Sequence, residues 1–386
     1  MGPEKGFSAT EDELAQWLAL LLTPGIGTRR FQALLARIGS PRDILESTPQ
    51  QLIAARMIPG SVAARLATPD WKQVEKQLRW QQQCSNHIIT CRDPRYPLLL
   101  KAINDPPPLL FIQGDVTLLS RQQIAIVGSR NPGPDGTENT FTFARELTRS
   151  GYTVTSGLAL GVDTAAHRGA LAAGSGATIA VMGTGPDHRY PRSNRALADQ
   201  ILQNGALVTE FPIGTPPLAE NFPRRNRIIS GMSMGVLVTE AALRSGSLIT
   251  ARSALEQGRE VFAIPGSIHN PLARGCHALL RDGAKLVENT QDIIEELGAI
   301  RQVKAATEAP TTQPLFARPL DHNEQKVFAH LGFDPSSIDT LVERTGLTAE
   351  EVSSILLVLE LQNYVKTTPG GHYLRNGIKT GNQGLI

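Results

Sequence analysis

Residues Phe222-Pro223-Arg224-Arg225-Asn226-Arg227-Ile228-Ile229-Ser230-Gly231 crowd three guanidinium groups, one amide and one aromatic ring into a loop that enters a helix. Each Arg offers a planar fork that matches phosphate oxygens bidentately, and a helix amino terminus adds unpaired N–H donors with partial positive charge. Such a cluster suits gripping nucleic-acid phosphates and stacking a base, although basic residues near a Pro are also common on solvated surfaces. Context decides between the two. Small residues recur at what read as strand ends: Gly128-Ser129-Arg130, Ser156-Gly157, Gly183-Thr184-Gly185 and the helix start Ser245-Gly246-Ser247. Tight strand-to-helix turns require Gly for steric reasons alone, so the weight lies in their accumulation with Arg130, Arg192, Arg195 and Arg224 to Arg227.

Competing chemistries fail on particulars. Gly183-Thr184-Gly185 opens a dinucleotide fingerprint without its third Gly, and the second strand ends in Ser156 where a ribose-binding acid belongs. No Gly-Lys-Ser/Thr occurs, which removes a phosphate loop of the nucleotide-hydrolysing kind. Asp163 and His167 are four apart on one helix and could pair as a base, but Asp163 also sits where an N-cap belongs, the stronger reading. Cys84, Cys91 and Cys276 have neither disulfide nor zinc-ligand spacing, so no metal is expected and a reducing cytoplasm fits. A net charge of +2 cannot attract a polyanion as a whole, so any nucleic-acid site must be a local concentration of Arg. Between Lys101 and Lys285 there is no Lys at all, which favours rigid forks over flexible point charges, unless an Arg-rich composition explains it. The polar, acidic amino terminus and the short apolar run Trp17 to Leu22 predict neither export nor a membrane anchor.

A chain of 386 residues predicts two or three domains. Residues 1–82 read as a small helical domain of the SAM or helix-hairpin-helix type, with apolar residues at helical spacing in Leu14-Trp17-Leu18-Leu21 and Phe31-Leu34-Leu35-Ile38. Its turn Thr23-Pro24-Gly25-Ile26-Gly27 could meet a phosphate with backbone amides; a plain helix–helix turn needing Gly is the better reading, and Ile58-Pro59-Gly60-Ser61 is a weaker copy. Residues 83–299 alternate β-branched runs with Ala-rich helices, the signature of an α/β, Rossmann-like, mostly parallel extended sheet. Strands are expected at Ile124–Gly128, Tyr152–Thr155, Thr178–Met182, Ala206–Glu210, Val236–Glu240, Glu260–Ile264 and Lys285–Val287. The runs Ile88–Cys91 and Leu109–Gln113 should pack against the sheet edge. Residues 300–320 read as a linker, and 321–378 as a winged-helix domain. Its third helix has no Lys or Arg and carries Glu350, Glu351 and Glu360, so duplex DNA would repel it; only Lys366 and Arg375 on the wing remain for backbone contacts.

The segments Ile126-Val127-Gly128-Ser129-Arg130, Ser156 to His167, Phe222 to Arg227 and Gly246-Ser247-Leu248-Ile249-Thr250-Ala251, closing at Pro265-Gly266-Ser267, resemble the DNA-processing protein A family, also called Smf. The resemblance implies a cytoplasmic protein without enzymatic turnover or cofactor that binds single-stranded DNA, protects it during natural transformation and loads RecA recombinase on it. It further implies phosphate contacts from Gly128, Ser129 and Arg130, a basic place at Arg192, a stacking ring at Phe222 with Arg224, Asn226 and Arg227 around it, and a homodimer, for which Ile268, Leu272 and Leu279 are the guessed contacts. Ala219-Glu220-Asn221 departs from members that carry a Lys before the Phe-Pro pair. The alternative is an enzyme similar to phosphoribohydrolases that cleave nucleoside monophosphates, but Ala251-Arg252-Ser253 offers no carboxylate where their catalytic Glu stands.

Overall fold

The β-branched runs pair into one sheet of nine strands: β1 Asn86–Thr90, β2 Leu109–Gly114, β3 Gln123–Val127, β4 Thr153–Ser156, β5 Thr178–Val181, β6 Ala206–Thr209, β7 Gly235–Val238, β8 Glu260–Ala263 and β9 Lys285–Leu286. The computed structural model describes residues 11–54, 57–174, 177–298, 321–331, 336–361, 364–368 and 371–375. Strand order is β1-β2-β6-β5-β4-β3-β7-β8-β9, with β3 to β9 parallel and β1 and β2 antiparallel at one edge. The two runs expected to pack against the edge are thus hydrogen-bonded into the sheet, with β2 paired to β6 from Phe111–Thr209 to Gly114–Ala206.

Every residue of β3 to β7 is buried, as helices on both faces of a parallel sheet require. Side-chain alternation divides the core: Ile124 and Ile126 face the helix Pro134–Arg149 side with Phe143 and Leu147, while Ala125 and Val127 face the other layer. That second layer is continuous with six amino-terminal helices from Glu11–Leu22 to Trp71–Gln81, so the helical segment shares one core and one compact unit with the sheet. Trp17 stacks on Phe31 at 5.5 Å, and Gly25 adopts φ +97° with Val62 2.7 Å from where a Cβ would sit. The turn is built around that glycine: Arg30 donates to the Gly25 carbonyl at 2.7 Å.

Among its described residues the second unit holds three helices, His322–His330, Ile338–Thr345 and Ala349–Leu361, and a hairpin of β10 Val365–Thr368 with β11 His372–Arg375. The expected linker falls outside the described residues, as do 376–378 and the Lys366 side chain. Arg375 is committed inward: its Nε donates to the Phe328 carbonyl at 3.0 Å and its guanidinium lies 4.4 Å from the Phe328 ring centroid, which removes it as a wing contact. Among the described residues no helix is long and apolar enough to cross a membrane, and no cluster of His, Cys, Asp or Glu could hold a metal ion.

Candidate nucleic-acid interface

Strand order reverses beside β3: the chain winds from β3 through β4 and β5 to β6, then returns to β7 on the opposite side. A cleft of about 340 Å³ opens at the carboxyl ends of these strands, where ligands of wound sheets bind. It is lined by Gly128, Arg130, Asp163, Phe222, Arg225, Asn226, Ser245, Gly246 and Ser247 among others. Gly128 is obligatory by close approach, since a Cβ there would lie 2.7 Å from both the Glu240 carbonyl and Val162 Cγ2. The Ser129 N–H donates to the Glu240 carbonyl at 2.7 Å and its hydroxyl accepts from the Asn131 N–H at 3.1 Å. Within Gly128-Ser129-Arg130 the group that projects into solvent is therefore the Arg130 side chain, 5.9 Å from the Phe222 ring centroid.

Asn221–Met232 is helical from its first residue, so the segment expected as a loop is the first turns of a helix. Successive side chains rotate by about 100°, which disperses the arginines that sequence adjacency seems to cluster. Phe222 and Asn226, four apart, face the cleft. Arg224 and Arg227, three apart, turn to Glu210: Arg227 Nη2 is 2.8 Å and Arg224 Nη2 3.7 Å from its Oε2, and Arg227 Nε also reaches Asp105 at 3.0 Å. Arg227 is 12% exposed and unavailable to a ligand; Arg224, at 51%, keeps an open side and lies over Phe211. Burial raises the Glu210 carboxyl above its ordinary range, against the pull of Arg227 and Arg224.

Arg225 points into the protein. Its Nη1 donates to the Val181 carbonyl at 2.6 Å, and its guanidinium lies against Gly157, where any Cβ would collide with it. Burial lowers its pKa to about 10, with Asp163 opposing the shift. Asp163 does not cap its own helix, whose N-cap is Gly161; instead its Oδ2 accepts from the Gly157 N–H at 3.1 Å and the Ala159 N–H at 3.2 Å, bracing the preceding loop. Burial raises the Asp163 pKa, countered by Arg225. His167 makes no base pair with it. The Thr178 hydroxyl donates to the Val154 carbonyl at 2.7 Å and so must accept from His167 Nδ1 at 2.8 Å, fixing the tautomer. Burial and the Arg225 charge hold His167 neutral, with a pKa of about 3. Ser156 is fully buried and donates to the Ile126 carbonyl at 2.7 Å, so it positions the wall and does not face the cleft.

Ser245 and Ser247 share a hydroxyl contact of 2.7 Å at the amino end of helix Ser247–Glu256, beside an open Gly246. The carboxylate of that helix, Glu256, is exposed at its last residue, at the opposite end from Ser247. Arg192 lies elsewhere, exposed in a second cleft of about 890 Å³ with Arg189 and Arg195. Of the guessed dimer contacts, Leu279 is 6% exposed and packs in the core, which takes it out of any interface; Leu272 is half-buried and Ile268 is 74% exposed.

Glu240 is a site residue that the sequence reading passed over. Its Oε2 accepts from the Gly133 N–H at 2.7 Å and its Oε1 from Asn270 Nδ2 at 2.9 Å. The carboxylate thereby fills the amino terminus of helix Pro134–Arg149, the place a mononucleotide phosphate takes in related sheets. Gly136, which backs onto Glu240 so closely that a Cβ would clash, was the available signal.

Fold and site together define a Rossmann-like protein whose strand mouth presents side-chain cations and an aromatic ring, with the Glu240 carboxylate at the amino terminus of helix Pro134–Arg149. Residues 87–298 match the family described as DNA recombination-mediator protein A, and 308–371 match the DprA winged helix domain. The chain belongs to this DprA/Smf family of DNA-processing proteins. Protein Smf of Escherichia coli strain K12 is 45% identical over 307 residues, covering 78% of this chain and 80% of its own. The X-ray structure of DNA processing protein A from Streptococcus pneumoniae matches with a TM-score of 0.64 at 36% identity, covering 76% of this chain and 99% of that one. DNA processing protein A from Helicobacter pylori, known for a single-stranded DNA binding mode, matches with a TM-score of 0.50 at 32% identity over 55% of this chain and 97% of that one.

Proposed function

We propose that this protein holds single-stranded DNA at the mouth of β3 and β7 without chemical turnover, shields incoming DNA in the cytoplasm during natural transformation, and as a homodimer helps load RecA on it. The observation that supports it most is the exposed Arg130 set against the half-buried Phe222 ring, in a cleft whose mononucleotide position Glu240 already fills. Gly128, Ser129, Asn226 and the Ser245-Gly246-Ser247 rim shape the grip, and Arg224 extends it. Ser156, Gly157, Arg225 and Arg227 hold its walls. The naming of the Helicobacter pylori relative for single-stranded DNA binding agrees with this reading.

Fluorescence anisotropy on a labelled oligonucleotide tests it. With Arg130 and Arg224, the two exposed arginines of this mouth, engaged, log affinity for a short oligonucleotide should fall against log salt with a slope near −1.4, single strands should compete better than duplex, and Arg130→Ala should weaken binding by roughly 1–3 kcal/mol. A flat salt response would overturn the proposal. RecA filament growth on the same strand, followed by light scattering, should rise with added protein and fail to rise with Arg130→Ala. Release of free base from a nucleoside monophosphate, lost in that variant, would instead establish hydrolysis.

A further inference from the structure

Resting on the reading of this chain as a single-stranded DNA binder, we infer that the strand continues beyond the Arg130–Phe222 site, over the ring of Tyr190 and into the cleft of Arg192 and Arg195. Phe222 is not a free platform. Arg130 sits 5.9 Å from its centroid, Tyr190 lies 5.5 Å away with an interplanar angle of 42°, and the ring packs against Gly183, where a Cβ would stand 2.9 Å from it. The aromatic surface offered to solvent is Tyr190, 45% exposed, and any base can stack on such a ring whatever its sequence.

Two residues past Tyr190 the chain enters a short 3-10 turn, Arg192–Asn194, and then the helix Arg195–Asn204. Arg192 and Arg195 are both exposed in the second cleft. Arg189 forms part of its floor and is fixed there, donating to the Pro186 carbonyl at 2.5 Å and to Gln113 Oε1. Opposing charge comes from Asp187 and Asp199. Asp187 is engaged, its two oxygens accepting from the Gly214 N–H at 2.9 and 3.1 Å, with His188 Nε2 3.7 Å away. At its far side this cleft shares Trp80 and Gln83 with a neighbouring one that carries Lys72, Lys76 and Arg79, the last paired with Glu75 at 2.7 Å. Cations therefore continue away from the strand mouth, as a phosphate backbone longer than one or two nucleotides requires.

The test uses the full chain and fluorescein-labelled oligothymidylates of increasing length. Wild-type affinity should keep rising with length past the point at which an Arg192→Gln/Arg195→Gln double variant levels off, and the salt slope on long strands should fall by about 1.4 in that variant. Tyr190→Ala should weaken long-strand binding roughly tenfold, and Tyr190→Phe should restore it, because the ring and not the hydroxyl stacks. Should Tyr190→Ala lower thermal stability through its contact with Phe222, the Arg double variant, confined to exposed side chains, decides alone. Identical length dependence and salt slope in wild type and the double variant, with Arg130→Ala still weakening binding, would overturn this inference and leave the proposed function standing. The same holds if the double variant loses only the binding of an acidic protein. A wild-type chain that binds no oligonucleotide would remove both.

Discussion

Arg225→Met separates a structural from a binding role within the Arg-rich segment. Arg225 is 4% exposed, donates to the Val181 carbonyl at 2.6 Å, and its charge acts on the buried Asp163. Removing Arg225 takes the opposing charge from the buried Asp163 carboxyl and the donor from the Val181 carbonyl, together at a cost of about 3–5 kcal/mol. At roughly 2–4 °C per kcal/mol for a unit of this size, the melting temperature should drop by roughly 6–20 °C. The pH dependence carries a sign. Burial already holds the Asp163 pKa above that of the unfolded chain, so its contribution favours the fold at low pH and is lost as pH rises through the folded-state value. Without Arg225 that pKa climbs further, so the gap between wild type and variant should be widest near pH 8 and should narrow on acidification towards the carboxylate range. Melting followed by circular dichroism across pH 4.5–8, beside anisotropy titrations of the folded protein, provides both readouts. An Arg225→Met protein with an unchanged melting temperature and weakened DNA binding would refute the reasoning, because Arg225 would then face the ligand.

Three further outcomes are expected. His167, held neutral with a pKa of about 3, takes up its proton only on unfolding, so stability should fall by about 1.4 kcal/mol per pH unit as pH drops below about 6.5. His167→Gln should remove one proton's worth of that slope in urea unfolding between pH 5 and 6.5, and an unchanged slope would mean that the ring is not buried in its neutral form. Gly128→Ala forces a methyl against the Glu240 carbonyl and Val162, each 2.7 Å away, and should destabilise by about 1–3 kcal/mol while weakening oligonucleotide binding. Leu279→Ala should cost about 2–4 kcal/mol as a core truncation, whereas Ile268→Glu, on a side chain 74% exposed, should leave stability intact and reduce self-association measured by sedimentation.

The sheet was legible because its central strands are buried on both faces and therefore read as short β-branched runs set off by glycines. Expected ends overshot where the chain leaves the sheet: Gly128, Met182, Glu210, Glu240 and Ile264 lie just beyond β3, β5, β6, β7 and β8. Of these only Gly128 lines the cleft, while Met182 and Ile264 pack in the core and Glu210 pairs with Arg227, and periodicity does not show where a strand stops pairing. The antiparallel pair β1 and β2 was visible as extended runs, but its partner β6 lies about a hundred residues away in sequence and no local pattern specifies it. The arginines were misjudged for a different reason. The segment reads as a loop entering a helix, yet Pro is well tolerated in the first turn, and helical phasing from 221 separates Arg224 and Arg227 from Phe222 and Asn226, while Arg225, three residues from Phe222, keeps to their side and is turned inward only by its buried contacts. Partners such as Glu210, Asp105 and the Val181 carbonyl come from distant segments, so their claims on those guanidinium groups could be seen only once the chain had folded.

That internal pairing bears on what the mouth can hold. In a nucleotide-binding sheet the backbone N–H groups after the first strand and at the helix start remain open for a compact phosphate. Here Ser129 N–H is taken by the Glu240 carbonyl, Gly133 N–H by the Glu240 carboxylate, and Gly157 and Ala159 N–H by Asp163. In the proposed reading the donors left for an anion are no longer fixed backbone dipoles, which favour one small ligand in one pose, but exposed Arg130, Arg192, Arg195 and half-exposed Arg224 around two aromatic rings. Side-chain cations spread along a surface reward a polymer with many phosphates far more than a single nucleotide, and screening by salt weakens each contact. Free nucleoside mono- and diphosphates should therefore compete poorly for the labelled strand even at millimolar concentration; displacement by AMP at micromolar levels would show that a compact phosphate pocket survives beneath Glu240.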